Sequence, residues 1–317
     1  MIEYELAHGD LTATRFAISP LNETVLSLRA VQNPARYPLH RAWLRTLPDL
    51  GDLPDLALLL SLLTRRGWSP DFLTPVPPDP TVTFADELAR MAATPAEQVR
   101  ADLARLPGIV LSEEPGVLLR RVATALDAYW AVAVEPSWPR MRMLLEADIS
   151  YRSRVSSAAG LQAMLTGLSD RITFEPPVIR IAIPQAPARY VRTDGRGLAL
   201  MPSLFALHTA APVDPAGPPM IVYAARGVAT LWERRPAVPP DALAAVLGTV
   251  RAGLLARLAE PASSTELALD LGVTTSAVNQ HLRALRNVGL LESARSGRSV
   301  RYRRTALADQ LLQHAGE

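Results

Sequence analysis

Ser276, Asn279, Gln280 and Arg283 recur at helical spacing, and each carries a side chain able to hydrogen-bond a base edge or a phosphate. An Asn or Gln amide can pair bidentately with adenine, and the arginine fork suits guanine or a phosphate oxygen. Thr274 and Thr275 add hydroxyls just before this stripe, and Arg286 extends it. Downstream the charge becomes lopsided. Arg283, Arg286, Arg295, Arg298, Arg301, Arg303 and Arg304 stand against a single acid, Glu292, a net +6 within a chain whose formal charge is only +2. All 33 basic residues are arginine, a bias that fits GC-rich codon usage. The clustering does not follow from codon bias, and it is the electrostatic footprint of a nucleic-acid contact.

The local sequence specifies how these groups are held. Ser263 followed three residues later by Glu266 predicts a capping box opening a helix over 265–271, with Leu267, Ala268 and Leu271 on its buried side. Gly272 fits a left-handed helix end, and Thr274 can cap the next helix, expected over 275–288. Val278, Leu282 and Leu285 form the inward stripe of that helix, opposite the polar one, and Gly289 ends it. Leu290–Ala294 and Val300–Arg304 then read as two strands joined by Arg295-Ser296-Gly297-Arg298-Ser299, a wing that carries Arg295 and Arg298 at its tip. Leu307, Leu311 and Leu312 share one side of a last helix and offer a surface for a second subunit.

A helix, a tight turn and a second helix with a polar outer stripe meet the requirement for major-groove insertion. The run Leu247-Gly248-Thr249-Val250-Arg251, then Thr265-Glu266-Leu267-Ala268, Leu271-Gly272-Val273, Asn279-Gln280-His281-Leu282, Leu285-Arg286, Gly289-Leu290 and Arg298-Ser299-Val300-Arg301-Tyr302, resembles the ArsR-type winged-helix regulators. That resemblance implies a homodimer on a palindromic DNA operator, with contacts from Thr274 to Arg283 in the recognition helix and from Arg295 to Arg301 in the wing. Metal-sensing members often carry a cysteine pair in the first helix of the motif. Here Glu266 to Leu271 occupy that place and the chain has no cysteine, which excludes thiolate metal sensing. The resemblance covers about a quarter of the chain. The long N-terminal part, including Gly195–Phe205 and Tyr223–Trp232, resembles an extension on larger actinobacterial-type regulators of this class, and that supplies no ligand.

The expected fold is α+β and mostly helical. Residues 1–169 read as a helical domain for an effector or for dimerisation, with apolar-periodic stretches near 21–31, 39–47, 53–63, 84–91, 96–106, 117–134 and 138–168 separated by prolines. Residues 170–235 carry strand-like runs packed with it, Pro236–Pro240 reads as a linker, and residues 241–317 form the winged helix.

Other residue groups point to no catalysis. There is no phosphate-cradling glycine loop, nucleophile elbow or histidine pair on a helix face, and His8, His40, His208 and His314 are scattered. No cofactor or metal is expected. Glu146, Asp148 and Arg152 read as charge pairing along a helix, whereas Tyr129, Trp130, Trp138 and Tyr151 read as core that can also line a cavity for an apolar effector. The first residues lack a signal-peptide pattern and Leu56–Leu63 is too short to cross a bilayer, so a cytoplasmic protein without membrane contact is expected. The leading expectation is a DNA-binding repressor with a sensing N-terminal region. Two others stay open at this point: an assembly factor whose winged helix binds protein, and an enzyme tethered to DNA.

Overall fold

The structure, a computed structural model, describes residues 1–64, 68–78, 82–106, 113–183, 188–212, 214, 217–232, 241–259, 261–296 and 299–314. The chain divides into two compact units, Met1–Glu233 and Arg234–Glu317. The stretch 236–240, read as a linker, lies outside the described residues.

The first unit opens with β1 (Ile2–Glu5), a short helix α1 (Asp10–Ala13), β2 (Arg15–Phe16) and α2 (Pro20–Gln32). The helix α2 starts where Ser19 accepts a hydrogen bond from Asn22 N (2.9 Å) and proline occupies the first turn. It is buried on all sides, with Leu21, Val25 and Leu28 packed in the main core. Its polar residues find partners inside: Ser27 meets the Tyr129 hydroxyl (2.9 Å), and Arg29 Nη1 donates to the Thr64 carbonyl (3.0 Å) while its Nε and Nη2 have no partner among the described residues. The short α3 (Arg41–Leu44) and α4 (Leu56–Ser61) follow, where the sequence suggested longer helices. Proline-led turns at Pro34–Arg36 and Pro38–His40, and a left-handed Asp55 before α4, confine them.

The helices α5 (Phe84–Ala92), α6 (Ala96–Leu103) and α7 (Pro115–Tyr129) enclose the same core. A π-helical turn, Trp130–Val134, continues from α7 and leads through Glu135–Ser137 into α8 (Trp138–Thr166). The apolar run 138–168 suggested one continuous helix, but Gly160 at φ +86° breaks it, a conformation that costs glycine little. In α8, Asp148 is buried beside Arg152 (3.7 Å) and accepts from the Tyr223 hydroxyl (2.9 Å) and Arg226 N (3.1 Å).

The strands β3 (Ile172–Glu175), β4 (Val178–Ile181), β5 (Arg189–Arg192), β6 (Ala199–Ser203) and β7 (Met220–Ala224) complete the unit with the short α9 (Val228–Leu231). One sheet runs β3-β4-β1-β5 and the other β2-β6-β7. β1 pairs antiparallel with β4 and parallel with β5, so the chain's first strand sits inside a sheet made of residues from 172 to 192. Ile2, Tyr4 and Leu6 pack there against Met164, Leu165 and Leu168 of the α8 end.

The second unit contains α10 (Asp241–Leu247), α11 (Thr249–Arg257), β8 (Ala262–Ser263), α12 (Ser264–Leu271), α13 (Thr275–Asn287), β9 (Leu291–Ser296), β10 (Ser299–Arg304) and α14 (Ala306–His314). Its core joins Leu254, Leu255 and Leu258 to Leu267, Val278, Leu282, Leu285, Leu291 and Tyr302. The strand order is β8-β10-β9, an antiparallel ribbon braced by a third short strand. Among the described residues no helix is long and apolar enough to cross a membrane.

Candidate nucleic-acid interface

Two adjacent caps fix the helical pair. Ser263 accepts from Glu266 N (3.2 Å) while the Glu266 carboxylate accepts from Ser263 N (2.6 Å), closing the capping box of α12. Those Ser263 donors, with Arg301 nearby, hold the Glu266 carboxyl below its usual range. Gly272 takes φ +66° at the end of α12, and the Thr274 hydroxyl accepts from Ala277 N (3.3 Å) to open α13. The turn is two residues of loop beyond that glycine, so α12 and α13 stay packed as a pair.

Val278, Leu282 and Leu285 bury one stripe of α13. Ser276, Gln280 and Arg283 are exposed on the opposite side, with Asn279 and Thr275 half-buried on its flank and Thr274 exposed at the cap. Asn287, which the sequence reading left out, lies on the same exposed stripe one turn after Arg283. Its helical offset of seven from Gln280 is the signal that identifies it. His281 is half-buried, and its Nδ1 has no hydrogen-bond partner among the described residues.

The arginine run divides once its partners are visible. Arg303 pairs with Glu292 (2.8 Å) and Arg304 with Asp309 (2.9 Å). Arg301 reaches Glu266 (3.4 Å) and the Pro261 carbonyl (3.4 Å), across β10 to the start of α12. The net +6 read from the linear sequence is therefore partly neutralised by acids at 266 and 309, outside the counted window. Arg283 has no acidic partner within 4 Å among the described residues, and Arg286 donates to the Ser293 hydroxyl (3.4 Å). Arg295 lies in β9, paired through its backbone with Val300. Arg298 lies outside the described residues.

A buried two-helix core that presents one polar, arginine-bearing helix face beside an antiparallel ribbon defines a winged helix-turn-helix. Residues 253–293 match the family model of the bacterial regulatory protein, arsR family. That match lies wholly within the second unit, so the chain carries an ArsR-type DNA-binding module of transcription regulators behind a long N-terminal extension. No curated protein and no solved structure matches the chain.

The aromatic residues of the first unit separate as well. Tyr129 is fully buried, while Trp130 and Trp138 line a cavity of about 480 Å³. Tyr151 instead lies beneath the Arg226 guanidinium, 3.7 Å from the ring centre.

Proposed function

We propose that the protein is a sequence-specific transcriptional repressor rather than an enzyme, acting in the cytoplasm as a homodimer on a palindromic operator. Residues 1–233 sense a small molecule or a partner. The observation that carries the DNA-binding reading is the face of α13: Ser276, Gln280 and Arg283 are exposed opposite three fully buried aliphatic side chains. Thr274, Thr275, Asn279 and Arg286 flank that face, Arg295 and Arg301 lie on the wing strands, and Arg298, outside the described residues, is assigned to the wing from the sequence alone. Arg301 supports the wing through Glu266 as much as it offers charge to a phosphate.

Dimerisation is supported by apolar groups left in water within the second unit. Leu307 and Leu311 of α14 and Val246 and Val250 near its start are all exposed. A two-fold dimer places its two recognition helices about 34–36 Å apart, one turn of DNA, and so predicts a palindrome.

Fluorescence anisotropy with DNA from the gene's own upstream region, across a salt series and beside random DNA, tests the proposal. Tight binding that prefers the upstream DNA and weakens with salt is expected. Absence of binding at low salt contradicts it.

A further inference from the structure

We propose that the cavity beside the π-helical turn of the first unit is the effector site and takes an apolar organic cation, of the quaternary ammonium or phosphonium kind. This deepens the sensing role given above to residues 1–233 and rests on it only for its regulatory consequence, since binding itself is measured without DNA.

Three aromatic side chains stand in the wall. Phe84 stacks on Trp130 with ring centres 4.4 Å apart and planes within 6°, and Trp138 meets Trp130 edge-on at 5.4 Å. Ile18 adds an aliphatic wall, and the cavity's roughly 480 Å³ suits a small organic molecule. Electron-rich indole faces attract cations, most strongly where water is partly excluded.

The rim is acidic. Asp127 and Glu135 both line the cavity, and neither forms an ion pair among the described residues. The π-helical turn brings these groups together. Five residues apart on an ordinary α-helix, Trp130 and Glu135 would point about 140° away from each other. The wider turn over Trp130–Val134 lets both face the same space, and such insertions recur at functional sites.

The two positive features at the rim already have partners. Arg142 is paired with Glu146 (2.8 Å). The N-terminus of α5, at Thr83 and Phe84, is closed by its own box, in which Asp86 Oδ2 accepts from Thr83 N (3.1 Å). The uncommitted charge is negative and indole rings stand beside it, which selects a cation over an anion of the same shape.

Tetraphenylphosphonium and tetraphenylborate are near-isosteric ions of opposite charge, and titrating each into the full-length protein without DNA tests the site. All tryptophans lie in the first unit, and two of them line the cavity, so intrinsic fluorescence reports binding. Saturable quenching by the phosphonium is expected, with the borate binding at least about tenfold more weakly. The double variant Asp127→Asn/Glu135→Gln, both positions being solvent-exposed, should keep the unfolding temperature and weaken the phosphonium by about tenfold. Equal affinity for the two ions, unchanged phosphonium binding in the double variant, or no saturable quenching by the phosphonium would each overturn the proposal.

Discussion

The helices α2 and α13 are each thirteen residues long and each begins at a hydroxyl cap, yet the fold uses them in opposite ways. In α2 the polar side chains Glu23, Thr24 and Ser27 are buried as deeply as the leucines, and every one has a bond within the protein. In α13 Ser276, Gln280 and Arg283 turn to solvent, and Arg283 has no acid beside it among the described residues. A buried polar group must be satisfied internally, because desolvation otherwise costs more than the bond returns. An exposed one is free to exchange water for a ligand. The contrast separates a helix that organises a core from a helix organised to meet something outside it.

Deleting core volume under α13 gives the sharpest break of that contrast. Leu282→Ala should destabilise the second unit by about 2–5 kcal/mol. Because every tryptophan lies in the first unit, urea unfolding followed by fluorescence should hardly move, while the circular-dichroism transition splits or shifts. A matching shift of both signals would show that the two units do not unfold separately.

The buried polarity of α2 predicts a pH dependence of the first unit's stability. Burial pushes the Glu23 carboxyl up to about 7, although Leu204 N (2.9 Å) donates to it. Burial likewise raises Glu87 to about 7, while its carboxylate accepts from Leu21 N at the start of α2 (2.8 Å). Folded values above the unfolded one mean that stability is full below about pH 4.5 and is lost as pH rises through 7. For Glu23 the loss is roughly 3 kcal/mol. His40, which burial pushes down to about 4, acts the other way between its folded value and 6.5. The difference between wild type and Glu23→Gln isolates the glutamate. In tryptophan-monitored urea titrations the wild type should lose more stability than the variant from pH 5 to 8, and parallel profiles would contradict the assignment.

Smaller again is the cap of α13. Thr274→Ala should cost about 1 kcal/mol and be visible in the second unit's transition alone. It sharpens the comparison, since Ser19→Ala at the α2 cap should act on the first unit alone.

What the sequence reveals differs between the two helices for the same reason. Every determinant of the α12–α13 pair is local: the caps at Ser263 and Thr274, the glycines at 272 and 289, and on α13 an apolar stripe with a polar one opposite. The role of Glu23 is not legible, because its partner Leu204 N lies 181 residues away. β1 has the same difficulty, since its neighbours β4 and β5 come from the far side of the unit's chain. The arginine run was misleading in a similar way. Charge along the chain omits partners distant in sequence, and Arg301 and Arg304 meet their acids at 266 and 309, in a helix before the run and one after it. The π-helical turn that brings Trp130 and Glu135 together has no signature in hydrophobic periodicity, which reads 117–134 as one helix.

The central claim is that the exposed face of α13 reads DNA, and the double variant Gln280→Ala/Arg283→Ala tests it most directly. Both side chains are exposed, so folding should be unaffected. In anisotropy titrations the variant should lose its preference for the upstream DNA over random DNA, by about 1–3 kcal/mol for each base contact removed. Its salt slope should also fall by about 1 if Arg283 meets a phosphate. A variant that keeps both its preference and its salt slope would place DNA recognition elsewhere and contradict the account.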